Sequence, residues 1–187
     1  MRAFLIAGLT ALAVAACTPA EGEHGALSGG CDARGVATWN TPADANASVE
    51  AITTGPDCAR AVATLIIRNG SGEPIYSETH IPSQVMTLAQ ASTPAAMQTA
   101  LQEWVDPASN TTMQTSSALP EWPADADSPQ NGEFPFYPAE GMTRESYNQL
   151  RDANLPLYCY VQGMESLNCL ALRDGALESI GVQSFPG

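Results

Sequence analysis

The chain predicts an α+β fold: one domain in which antiparallel strands form a sheet, two helices pack on it, and two disulfides staple it. Three observations point there. Short strand-like runs bounded by Gly, Asn, Asp and Pro occur in both halves of the 187-residue sequence, without the strict strand–helix alternation of a parallel sheet. Two stretches, near residues 93–105 and 143–154, repeat apolar residues at helical spacing. Four cysteines, Cys31, Cys58, Cys159 and Cys169, fall within residues 31–187, the span of the expected domain.

The first strands are short. Val36–Trp39 and Ser48–Ile52 flank the loop NTPADANA, and Arg60–Arg68 (RAVATLIIR) is the strongest strand in the chain. Its near-continuous apolar run is the pattern of a central strand covered on both faces. Asn69-Gly70-Ser71-Gly72 supplies a turn, and Pro74–Ile81 returns as the second strand of a hairpin. In that strand Ile75, Thr79 and Ile81 alternate with Tyr76, Glu78 and His80.

The first helix has Ser92 or Thr93 as cap and Pro94 in its first turn. Met97, Ala100, Leu101, Trp104 and Val105 make its apolar stripe, and Asp106-Pro107 stops it. Residues 107–142 form a long, Pro-rich, acidic loop without sustained periodicity. Trp122, Phe134, Phe136 and Tyr137 make part of this loop an ordered cover over the core, because a disordered linker lacks such aromatics. The second helix is capped by Thr143, with Glu145 in its first turn and Met142 and Tyr147 at staple positions. Pro156 closes it. A three-stranded meander follows: Leu157–Val161, Leu167–Leu172 and Leu177–Phe185.

The cysteines permit three pairings. Proximity in sequence favours Cys31–Cys58 and Cys159–Cys169, and the second pair also fits a hairpin centred on Met164. In the chain-entropy account such loops stabilise by roughly 3–4 and 2.5–3 kcal/mol. No C-x-x-C spacing exists, so a zinc site is disfavoured.

Ahead of the domain, Met1-Arg2 precedes an apolar run from Ala3 to Ala13 and the box Val14-Ala15-Ala16-Cys17. About 13 apolar residues are too few to span a bilayer, which takes roughly 20, but suit a secretory leader. Leader and box resemble those of bacterial lipoproteins processed by signal peptidase II. The resemblance implies cleavage after Ala16, with diacylglycerol on Cys17 and acylation of its new amino group, an anchor that exceeds the two-signal requirement. Thr18 in place of Asp implies, by the same analogy, the outer membrane rather than the inner. Residues 17–30 are then a tether, small, polar and Gly-rich, that includes His24. The expected setting is the oxidising cell envelope, where an even set of four cysteines closes as disulfides.

Residues 17–187 hold six Arg, no Lys and 20 Asp plus Glu, a net charge of −14. That balance disfavours nucleic acid and anionic lipid surfaces as partners. It favours a cationic or envelope protein partner, through long-range steering. The absence of lysine rules out P-loop, Schiff-base and Ser-Lys chemistry within this span.

Catalytic constellations are missing. Ser71 sits between two glycines but outside a G-x-S-x-G elbow, and a hairpin turn accounts for it. His80 shares a strand face with Glu78 and Tyr76, two ligands too few for a metal, and the face reads as the solvated side of the sheet. Asp125 and Asp127 with Asn131-Gly132 suggest a calcium loop, yet prolines fall at ligand positions in the EF-hand register. No catalytic residue, metal or cofactor is therefore expected. Trp122, Phe134, Phe136 and Tyr137 are the candidate partner anchors, flanked by steering carboxylates. The sequence favours a lipid-anchored, non-enzymatic binding or accessory module. An inhibitor of a cationic hydrolase such as lysozyme is the narrower alternative, and an envelope enzyme the third.

Overall fold

A computed structural model describes residues 30–110, 113–129 and 133–185. The leader, Cys17, His24 and Asn131-Gly132 lie outside these residues. Among the described residues eight strands and three α-helices form, in the order β1 (Ala33–Trp39), β2 (Ala47–Thr54), β3 (Val62–Arg68), β4 (Pro74–His80), α1 (Pro94–Val105), α2 (Pro107–Asn110), β5 (Phe136–Pro138), α3 (Arg144–Asp152), β6 (Leu157–Val161), β7 (Ser166–Arg173) and β8 (Ala176–Ser184). The result is the α+β domain expected, antiparallel throughout, with both disulfides formed as Cys31–Cys58 and Cys159–Cys169.

The strands divide into two four-stranded sheets, one from each half of the chain: β1-β2-β3-β4 and β5-β8-β7-β6. Alternation sets the inner face of the first. Val49, Ala51, Ala63, Leu65 and Ile67 are fully buried, and between them Glu50, Ile52, Thr64 and Ile66 are only partly covered. The β3 run is thus covered on one face, not both, and Val62 is 44% exposed. Strands β6 and β7 are the ones buried on both faces. Tyr158, Tyr160, Leu170 and Leu172 join the main core with the first sheet. Leu157, Cys159, Cys169 and Ala171 join a second core with Phe136, Leu119 and Tyr147 and Leu150 of α3.

Helix α1 buries Met97, Leu101, Trp104 and Val105, the stripe expected, with Thr93 accepting the Ala96 amide as its cap. It lies along β1, the edge of the first sheet. Gln98 and Gln102, one helical turn apart, reach that edge. The Arg34 amide donates to Gln98 Oε1 at 3.0 Å and the Val36 amide to Gln102 Oε1 at 3.2 Å. The amide groups of the same glutamines donate back to the Arg34 and Val36 carbonyls. Two side chains thereby replace the missing neighbour strand. Gly35 allows the approach: a Cβ there would sit 2.5 Å from the Leu101 carbonyl carbon. Helix α3 starts on a capping box in which Thr143 and Ser146 satisfy each other's amides.

Between α1 and β5 the long loop is ordered where described. It holds α2, a single 3-10 turn at Ser116–Ala118 and the short strand β5. Cys159 and Cys169 are direct cross-strand partners, as the hairpin spacing predicts.

Candidate functional site

The polar groups converge where β4 meets the second sheet. In register, Tyr76 pairs with Ile67, Glu78 with Leu65 and His80 with Ala63, all three partners being fully buried. Tyr76, Glu78 and His80 therefore point inward, contrary to the solvated face that the alternation suggests. The physical reason lies across the gap. Tyr160 on β6 and Asn168 on β7 meet the polar tips of Glu78 and Tyr76, while the His80 ring packs against Trp104 and Tyr160. A bulge at Ile67/Arg68 leaves Ile75 out of register, and Ile81 beyond the strand is 51% exposed.

The hydrogen bonds run one way. Ser179 Oγ donates to Asn168 Oδ1 at 2.7 Å. That fixes the amide, whose Nδ2 donates to the Tyr160 hydroxyl at 3.2 Å and the Tyr76 hydroxyl at 3.5 Å. Each phenol in turn donates to Glu78 Oε2, Tyr160 at 2.5 Å. The two phenol oxygens also lie 2.9 Å apart, and with both hydroxyl protons directed to Glu78 Oε2 the arrangement favours the ionised carboxylate. Linked donors of this kind polarise one another.

The titration behaviour agrees. Burial works to raise the Glu78 pKa, but the Tyr160 and Tyr76 hydrogen bonds and the His80 charge outweigh it, and the net shift is downward. Burial, and then the Glu78 carboxylate, push Tyr76 up to about 12. The same effects with Tyr76 added push Tyr160 well above the ordinary tyrosine range. Burial lowers His80, against the Glu78 charge. Its ring packs edge-on against Trp104 and Tyr160, with centroids 5.4 and 5.6 Å away. His80 Nε2 and Thr53 Oγ1 are buried without a hydrogen-bond partner, on the same cross-strand row with Ala63 between them.

Chemically, the seam gathers two phenols, an amide and a hydroxyl around one carboxylate. Its phenols keep their protons at neutral pH, and no described hydroxyl hydrogen-bonds His80. Ser71, in the turn before β4, is bound to Asn69 at 2.7 Å and stands roughly 20 Å along the strand from His80.

The four aromatic candidates divide. Trp122 is half-buried, stacked edge-on against Tyr147 at 5.5 Å, and its Nε1 donates to the Ala126 carbonyl at 2.9 Å. Phe136 is 1% exposed in the second core. Phe134 and Tyr137 are 44% and 56% exposed, near the exposed carboxylates Glu133 and Glu140 in sequence. Asp125 and Asp127 are exposed too, but the adjoining carbonyls of Pro123 and Ala124 accept from Arg144. Among the described residues no group of three or more His, Cys, Asp or Glu is placed to hold a metal.

A cleft of about 450 Å³ opens between the end of β1, the end of α1 and the start of β6, lined by Trp39, Thr41, Pro42, Asp106, Gln114 and Leu157 among others. Its carboxylate, Asp106, accepts the Ala108 amide and the Ser109 hydroxyl, each at 3.0 Å, as part of its own turn.

Sequence reasoning missed Tyr160, Asn168 and Ser179, because their partners on β4 lie 82 or more residues away for the first two, and Ser179 acts through Asn168. A residue-level signal existed in the interrupted apolar runs: Tyr160 and Asn168 are polar-tipped residues inside otherwise largely apolar strands, and both are buried. Compared with known proteins, the chain matches no family model, and no curated protein or solved structure is significantly similar to it.

Proposed function

We propose that the chain is a lipid-anchored lipoprotein of the bacterial envelope whose domain is a non-enzymatic binding module for a cationic envelope partner. The observation that carries the binding reading is the exposed pair Phe134 and Tyr137, set in a strongly acidic chain without lysine. Large aromatics are effective anchors at interfaces, and surrounding carboxylates steer a basic partner toward them. Two disulfides support the compartment, since such bonds persist in oxidising surroundings. The box Val14–Cys17 supports the anchor.

A photo-crosslinking residue at position 137 of the intact lipoprotein, installed in living cells, tests the binding reading. The expected product is a discrete adduct with a basic envelope protein, absent when the same residue replaces exposed Ser77 on the opposite side of β4. Equal, diffuse labelling from both positions contradicts it. The narrower reading, an inhibitor of a cationic hydrolase, is favoured by the same charge and disulfides. It predicts that the purified protein slows lysozyme on cell walls, and unchanged lysis sets it aside.

A further inference from the structure

Among the described residues no arginine pairs with Glu78, and the charge that acts on it is that of His80. Its Oε2 takes both phenol protons, and Oε1 accepts no hydrogen bond from any described residue. The ion pairs among the described residues are Arg34–Glu50, Arg68–Glu50 and Arg60–Asp57, none of which involves it. Arg144 and Arg151 donate to backbone carbonyls. The remaining described arginine, Arg173, lies at the far end of β7 from Asn168, roughly 16 Å away along the strand.

Partial burial makes an unpaired carboxylate costly, and protonation is the usual relief. Here the relay of Ser179, Asn168, Tyr160 and Tyr76 works against protonation and leaves one oxygen turned away from the donors. The half-buried Tyr76 adjoins the carboxylate through the hydroxyl that meets Oε2, and aromatic rings attract cations. One carboxylate with a single imidazole on its face, His80, is too little for a calcium or transition-metal site. An organic cation needs only the one carboxylate and an aromatic wall.

We propose that Glu78 Oε1, backed by the two tyrosines, is a receptor for one ammonium or guanidinium group supplied from outside the domain. The group donates to Oε1 and lies against Tyr76, and no covalent step is involved. This site is on β4, separate from the Phe134–Tyr137 surface on and before β5, and it does not depend on that surface binding anything.

The test is a carbon-detected NMR titration of the whole purified protein, following the Glu78 carboxylate carbon and the Tyr76 ring. The probes are N-acetylargininamide, a short neutral peptide bearing one arginine, and N-acetylglutaminamide as the uncharged control. Both cationic probes are expected to shift Glu78 saturably while exposed Glu165 moves little, and the control to shift neither. Equal affinity for the two cations identifies a free small-molecule cation as the ligand, and tighter peptide binding identifies a protein partner; both support the site. Glu78→Gln is expected to weaken binding about tenfold or more. Independently of any variant, saturating probe should lower the pH midpoint of the wild-type Glu78 signal. A linear drift of Glu78 no larger than that of Glu165, with an unmoved midpoint, overturns the proposal.

Discussion

Glu78 contributes to the acid response of this domain. Its pKa is lowered in the folded state, so the ionised form is bound more tightly there than in the unfolded chain. The associated stability is present above the ordinary glutamate value of about 4.3 and is lost as pH falls through the lower folded value. His80, also lowered, works in the same direction at higher pH: the unfolded chain takes up its proton first, and stability declines as pH drops below about 6.5. Denaturant melts between pH 7 and pH 3 should show both losses. Glu78→Gln should flatten the lower one at a cost near neutrality of about 1 kcal/mol, small because the side chain is only partly buried. Tyr160→Phe removes a donor from Glu78 and the acceptor of a buried Asn168 proton, and should cost about 1–3 kcal/mol. A pH profile unchanged by Glu78→Gln would show that the relay does not hold the charge.

At the scale of elements, the α1–β1 contact guards a sheet edge. An exposed strand edge is a template for another chain, and Gln98 and Gln102 occupy it with four hydrogen bonds. The double variant Gln98→Ala/Gln102→Ala should lose about 1–3 kcal/mol and self-associate in sedimentation velocity at concentrations where the parent does not. Gly35→Ala should cost about 1–3 kcal/mol, because its Cβ meets helix backbone that cannot turn aside. Much of the element map was legible beforehand. Thr93 and Thr143 cap their helices, Pro94 takes the first turn, and the Cys159–Cys169 hairpin follows from spacing alone. These are local signals, within a dozen residues. Which face of β4 turns inward, and the split into two sheets, depend on side chains more than eighty residues away, and no local period encodes them. Nor does periodicity tell a glutamine facing water from one facing a strand edge; Gln98 and Gln102 look like ordinary surface residues.

For the molecule as a whole, the two disulfides suit an oxidising compartment, the setting proposed from residues 1–17. Each bridge lies within one half of the chain: Cys31–Cys58 spans 27 residues and Cys159–Cys169 spans 10. Neither ties the two sheets together. That task falls to the Glu78 seam, to the 2.7 Å bond from Trp104 Nε1 to the Val161 carbonyl, and to the shared apolar core. Replacing Cys31 and Cys58 with Ala should cost about 2–4 kcal/mol yet leave a folded domain, read as a lower denaturant midpoint with native near-ultraviolet dichroism. Replacing Cys17 with Ala should leave an unprocessed precursor that still begins at Met1, visible as slower migration on a gel. The most direct measurement of the central claim is the intact mass of the protein extracted from its host's membranes. The account predicts a chain starting at Cys17, bearing a diacylglycerol and an N-acyl group, with both disulfides closed. A chain retaining residues 1–16 with all five cysteine thiols free would contradict it.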